Sequence, residues 1–289
     1  MKSFSNDILR NWQTPQFWLV ALAGGVIATH ISLSWRQETE FSQLSLSILG
    51  WGAVLSLLWD KHHKLNLESD LFSTVVGSIL ITFVLLRFAL MTSFDSVFSF
   101  LPFIAALGIA LLASGFKGLR QYWQELLVIL VINAPVSFFV SRIGILAIYT
   151  TKFATALLTY LGVQFYNQGV YIIMANGKAV EVAAGCSGWE TMFPLLKLSV
   201  LFIVMFPTKL IAKILVPIVA VAVSFIVNGA RVAIMAILMG HSSREAFDYW
   251  HKGTGSQIFF LISALLFGIF CYFVSKQDEQ EKQREFFGS

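Results

Sequence analysis

Eight runs of apolar residues, each close to the length a helix needs to cross a bilayer, leave this chain few ways to fold. A crossing helix takes roughly 17 to 25 such residues, because hydrocarbon tolerates only a backbone that satisfies its own hydrogen bonds. The runs fall at 17–34, 44–59, 71–91, 99–115, 123–141, 190–206, 211–230 and 256–274. With 57% hydrophobic and 12% charged residues in 289, and a mean hydropathy of +0.74, too little polar surface exists to coat a soluble globule. The sequence predicts an all-α polytopic membrane protein of about eight transmembrane helices, one integral membrane domain over 1–289. Five spans occupy 1–141; an interfacial helix, an outer β-hairpin and three spans occupy 142–289.

A net charge of +4 and a pI near 9.1 raise the question of nucleic acid. No basic tract interleaved with aromatics is present, however, and the cations sit in short loops between apolar runs, so no nucleic-acid partner is expected and the charge reads as topology. A cytoplasmic N-terminus puts eleven of the 20 basic residues inside, among them Lys61, Lys64, Lys117, Arg120, Lys209 and Lys213, and seven outside. Both termini are then cytoplasmic in the plasma membrane. The first span lacks a small-residue cleavage pattern and is expected to stay in the mature protein.

The stretch 143–162 is apolar enough to cross but carries Tyr149, Thr150, Thr151 and Lys152 at its middle. Crossing would turn the following loop to the cytoplasm. An ionisable group at the bilayer centre costs about 2.5–3.5 kcal/mol, so a helix along the outer interface, or folded back into the bundle, is expected. Residues 163–185 alone have strand character. Val170–Met174 and Lys178–Val182 flank Asn176-Gly177, a pair suited to a type I′ turn with both central positions at positive φ.

Three elements carry the chemistry. Ala184-Gly185-Cys186-Ser187-Gly188 precedes the run at 190–206, Asn228-Gly229-Ala230-Arg231 ends the run at 211–230, and His251 precedes the last run. A lone membrane cysteine is ordinarily a small buried filler, and Cys271 lies at the opposite membrane face, too far to pair with Cys186. The flanking glycines alter that reading: they let backbone amides approach a ligand, while Ser187-Gly188 opens a helix whose N-terminal dipole favours thiolate and oxyanion. Asn228 and Arg231, three apart, share a helix face. Each also has a bland account, Arg231 snorkelling to headgroups and Asn228 bonded inside the bundle; beside Cys186 the cation would instead lower the thiol pKa and hold an oxyanion. His251, between Trp250 and Lys252, suits a headgroup contact or a base that takes the thiol proton and returns it to a leaving amine, with His241 as alternative. Arg87 and Lys197 are intramembrane ions that snorkelling or internal pairing explains equally well, and Glu190 could pair with Arg231 or Lys197. His30 reads as a headgroup contact. No cofactor or metal is expected: His62 and His63 lack further ligands at metal spacing, and no Gly-rich phosphate loop, GxSxG or HExxH occurs.

In that order, and each at the outer edge of a span, these elements resemble the exosortase/archaeosortase family of integral membrane cysteine transpeptidases. The resemblance is specific from about Val163 to Phe267. An Arg usually replaces His251 in the archaeosortase branch, so the chain looks like the bacterial exosortase side, with the cyanobacterial subgroup as a home; Trp189-Glu190 departs from the apolar-then-basic pair of many relatives. The resemblance implies Cys186, Arg231 and His251 as catalytic residues, supported by Ser187, Gly188 and Asn228. It also implies exported substrates with a C-terminal sorting signal: a Pro-Glu-Pro type motif, a transmembrane helix and a basic tail. Such a substrate would be cleaved through a thioester and passed to a lipid- or polysaccharide-linked acceptor at the membrane. A transporter would place its polar groups at mid-membrane, in helices broken by residues such as Pro135 and Pro217, and a scaffold would leave Cys186 without a task.

Overall fold

The computed structural model describes residues 14–36, 41–90, 97–135, 144–241, 244–251 and 255–287. They form two compact units, one up to Pro135 and one from Val136 onward.

The first unit is five helices: α1 (Pro15–Arg36), α2 (Phe41–Lys61), α3 (Leu71–Ala89), α4 (Leu101–Gly118) and α5 (Trp123–Asn133). Its core joins Val26 of α1 to Ile81, Val84 and Phe88 of α3, and to Phe98, Leu101 and Ala105 at the start of α4. In lipid, helices associate through close packing rather than through the hydrophobic effect, and small residues permit it. Gly77 of α3 faces Gly108 of α4 so closely that a Cβ on Gly77 would lie 2.8 Å from the Gly108 carbonyl oxygen. Asp70 caps α3 by accepting the Ser73 amide, 3.2 Å. Helical geometry in α4 breaks at Gly115 (φ 63°), and the Phe116 amide donates to Ser73 Oγ at 3.1 Å. Lys61 pairs with the buried carboxylate of Glu125 at 2.8 Å. Pro135 forces the preceding Ala134 to an extended ψ of 125°, which ends α5.

The second unit carries α6 (Gly144–Tyr160), strands β1 (Phe165–Gln168), β2 (Tyr171–Met174) and β3 (Ala179–Glu181), then α7 (Trp189–Met205), α8 (Leu210–His241), α9 (Arg244–His251) and α10 (Gly255–Phe287). One face of α6 (Ala147, Thr150, Thr151, Ala154, Thr155, Leu158) is buried, at the spacing of a single helical stripe. Thr151, Thr155 and Thr159 return their hydroxyls to carbonyls of the preceding turn, as Thr151 does to Ala147 at 2.7 Å, and Thr150 donates to a loop carbonyl instead, so burial leaves none of them unsatisfied. Lys152 stays exposed, over the Tyr149 ring. The sheet runs β1-β2-β3, antiparallel throughout, and lays Ile172, Met174, Val180 and Val182 on α6 and α8.

The polytopic helical class stands. Six helical stretches among the described residues are long and apolar enough to cross a membrane. One of them, Phe98–Asn133, takes in the expected spans at 99–115 and 123–141, which the break at Gly115 separates, as the helices α4 and α5, with 136–141 outside the described residues, and the run at 190–206 forms a helix of 17 residues. Two details of the expected hairpin differ. The hairpin is a three-stranded sheet, because Gly169 (φ 65°) opens a two-residue turn that pairs Phe165–Gln168 with Tyr171–Met174. The Asn176-Gly177 turn is not type I′. Met174 N–H bonds Lys178 O at 2.8 Å and Gly177 N–H bonds Met174 O at 2.9 Å, closing a three-residue loop with Gly177 in the left-handed region (φ 76°).

Candidate active site

Cys186 ends a single 3-10 turn, Ala184–Cys186, that follows β3, and its N–H bonds the Ala183 carbonyl at 3.0 Å. The next three carbonyls are each held from outside the turn. Asn228 Nδ2 donates to Cys186 O at 2.9 Å, and Thr150 Oγ1 donates to Ser187 O at 2.8 Å. Gly188 O accepts the Met192 and Thr191 amides of α7, at 2.9 and 3.2 Å, and the Thr191 hydroxyl at 3.0 Å. A trans peptide directs its N–H opposite its C=O. Fixing the carbonyls of Cys186 and Ser187 against Asn228 and Thr150 therefore turns the amides of Ser187 and Gly188 the other way. Gly188 makes this path affordable: its φ of 106° disfavours any side chain, and a Cβ there would sit 3.0 Å from Asn228 Nδ2.

Asn228 and Arg231 lie on one face of α8, as their spacing predicts, but they do not mark its end. The apolar sequence Val232–Met239 carries the helix on to His241, giving 32 residues and a length of about 48 Å. The span boundary expected at 230 is thus a polar patch within a longer helix. Arg231 is only 5% exposed; its Nη2 donates to the carbonyl of His251 at 2.7 Å, while its Nε meets no acceptor among the described residues. Asn228, at 2% exposure, must turn its amide nitrogen to the Cys186 carbonyl, which leaves Oδ1 buried and unpartnered among the described residues.

His251 is the last residue of α9, a short helix that packs Phe247 and Trp250 against the cluster containing Cys186. Phe247 also stacks on the imidazole, centroids 5.1 Å apart. With the ring clamped this way, His251 Nε2 lies 3.1 Å from Cys186 Sγ. Sulfur, imidazole and guanidinium thus occupy one neighbourhood, with Cys186 itself 3% exposed.

Cys186, Ser187, Gly188, Asn228, Arg231 and His251 are all brought together. His241 ends α8, well past Arg231, and Cys271 is a separate buried thiol packed with Leu195, Val216 and Phe267. His30 is buried rather than reaching headgroups: it accepts from Trp51 Nε1 at 3.3 Å and stacks on Phe98. The Glu190 carboxylate lies beside the Cys186 turn, 3.3 Å from where a Gly185 Cβ would stand. Sequence reasoning missed Thr150, treated only as a polar obstacle to membrane crossing, and missed the clamp formed by α9. Phe247, Trp250 and His251, spaced three and four apart, were its available trace.

A search of curated proteins and a search of solved structures each returned no match. The model of the transmembrane exosortase family (Exosortase_EpsH) matches residues 14–268, which takes in both units and every residue of this site. Since that match covers most of the chain, the protein belongs to the transmembrane exosortase family.

Proposed function

We propose that the protein is a cysteine transpeptidase that cuts exported proteins at a C-terminal sorting signal of the Pro-Glu-Pro type and transfers them to an acceptor. Family membership supports a membrane transpeptidase role, and the observation that carries the assignment of residues is the 3.1 Å approach of Cys186 Sγ to His251 Nε2 beside Arg231. His251 takes the thiol proton as Sγ attacks the scissile carbonyl. The tetrahedral oxyanion is held by the Arg231 guanidinium and the Gly188 amide. The C–N bond breaks as His251 returns the proton to the leaving nitrogen, freeing the membrane tail and leaving a thioester on Cys186. An amine on a lipid- or polysaccharide-linked acceptor, or water, then attacks the thioester and restores the thiol.

The whole chain acts as one integral membrane domain of the plasma membrane, with the site on the extracytoplasmic face, both termini cytoplasmic and α6 along the outer interface. His251 is the feature that allies it with bacterial, and within them cyanobacterial, exosortases. The test is co-expression with a reporter bearing a Pro-Glu-Pro tail, a transmembrane helix and a basic end, followed by mass measurement of the new C-terminus. Wild type is expected to yield a shortened or acceptor-linked reporter. Cys186→Ala should insert equally well and yield none; equal processing by Cys186→Ala would overturn the proposal.

A further inference from the structure

The strand that feeds Cys186 is itself an edge. Val182 N–H bonds Val170 O at 2.9 Å and Met174 N–H bonds Lys178 O at 2.8 Å, so Lys178, Val180 and Val182 direct their backbone groups at β2. Antiparallel ladders alternate, and Ala179, Glu181 and Ala183 therefore direct theirs away from it. All three are exposed, and among the described residues nothing pairs with the N–H or C=O of Ala179 or Glu181, nor with the N–H of Ala183. The opposite faces of Val180 and Val182 are buried on the helices, which holds the strand rigid.

Two bonds fix its course. Asn176 Nδ2 donates to Gly240 O at 2.8 Å at one end, and Asn228 Nδ2 to Cys186 O at 2.9 Å at the other. Gly240 and Asn228 are separated by about 18 Å along α8. β3 thus descends beside the last turns of α8, from the end remote from Lys209 and Lys213 down to the nucleophile.

We infer that the outer edge of β3 is the docking strand for the polypeptide being cut. The segment immediately N-terminal to the scissile bond pairs in extended form with Ala179 and Glu181, and its next residues bring the carbonyl to Cys186. This rests on the transpeptidase reading above, in which the substrate's C-terminal side continues into the membrane and only its upstream side can lie along the sheet. Strand addition of this kind draws affinity from main-chain bonds and leaves side-chain choice loose. The shortness of β3 and the charge on Glu181 discourage two copies from pairing edge to edge, yet leave enough ladder to set the register of a peptide also held at Cys186.

The test uses the full-length protein in detergent and synthetic peptides of the reporter tail, N-methylated one position at a time upstream of the cut. N-methylation removes a donor without changing charge. Every second position is expected to lose about tenfold in kcat/KM, with its neighbours nearly unaffected. On the enzyme, Glu181→Pro removes only an outward N–H, a change an edge strand accepts. It should raise KM about tenfold while alkylation of Cys186 by iodoacetamide proceeds as in wild type. Cleavage by wild type with a flat or unbroken N-methyl profile overturns the docking edge, as does a KM for Glu181→Pro equal to that of wild type. If Glu181→Pro also loses alkylation, the peptide scan alone decides. Absence of cleavage by wild type, equal to Cys186→Ala, overturns the transpeptidase reading instead.

Discussion

One hydroxyl at Thr150 sets the direction of the Ser187 carbonyl, and through it the opposite-facing Gly188 amide. Thr150→Val keeps the shape and removes the donor, leaving a buried carbonyl unsatisfied at a cost of about 1–3 kcal/mol. Turnover of the reporter tail should fall about tenfold, with Cys186 alkylation preserved, and Thr150→Ser should restore it; a Thr150→Ser variant as slow as Thr150→Val would show that shape, not the hydroxyl, matters. Arg231 poses a sharper requirement, since one nitrogen bonds the His251 carbonyl while Nε, unpartnered among the described residues, is the donor left for the substrate oxygen in the reaction proposed above. Lysine keeps the charge but cannot serve two directions at once. Arg231→Lys should therefore lower kcat about a hundredfold with little change in KM, the signature of a donor used mainly in the transition state. Cys186, Arg231 and His251 were legible in the sequence because each is chemically conspicuous beside an apolar run. Thr150 was not: a threonine in an apolar helix gives no sign of whether its hydroxyl bonds its own preceding turn, as Thr151 does, or a loop 37 residues away.

At the scale of elements, close approach of helices is the property most open to test. Gly77 and Gly108 let α3 and α4 touch backbone to backbone, so Gly77→Val must push them apart and should cost about 1–3 kcal/mol, seen as a lowered Tm in detergent. Gly52 of α2 is the control: nothing lies within 4 Å of a Cβ there, and Gly52→Ala should leave Tm unchanged or raise it slightly. Equal losses from both would remove the packing explanation. Helix positions followed from apolar length alone, and β2 with β3 from the runs around Asn176-Gly177. β1 escaped because its residues are mostly exposed and lack alternation, so Phe165-Tyr166-Asn167-Gln168 carries little strand pattern. The end of α8 was misplaced for a different reason. Asn228 and Arg231 look like a membrane boundary, yet both are buried, Asn228 bonded to the Cys186 carbonyl and Arg231 to that of His251, and these tertiary bonds replace the solvent that polar residues at a helix end would otherwise need.

For the whole molecule, the second unit contains its own argument about sidedness. α8 begins beside Lys209 and Lys213, and Arg231 stands about 32 Å further along the helix, close to the roughly 30 Å thickness of a hydrocarbon layer. α10 repeats the distance in reverse, since Gly255 and Lys276 are also about 32 Å apart along an unbroken helix. Both helices thus join a basic end to the end that holds the site; in the orientation proposed above the basic ends face the cytoplasm, as an excess of lysine and arginine on cytoplasmic loops favours. Gln168 in β1 and Gln280 near the end of α10 are exposed and fall on opposite sides in this arrangement. In a chain with Cys186 and Cys271 replaced by alanine, Gln168→Cys should react with a membrane-impermeant maleimide added to intact cells. Gln280→Cys should react only after permeabilisation. The reverse pattern would place the thiol, the imidazole and the sheet edge in the cytoplasm, where a substrate arriving from outside could not reach them. Reaction of both probes in intact cells would mean that α10 does not cross at all, and the distance argument from α8 would then have no counterpart.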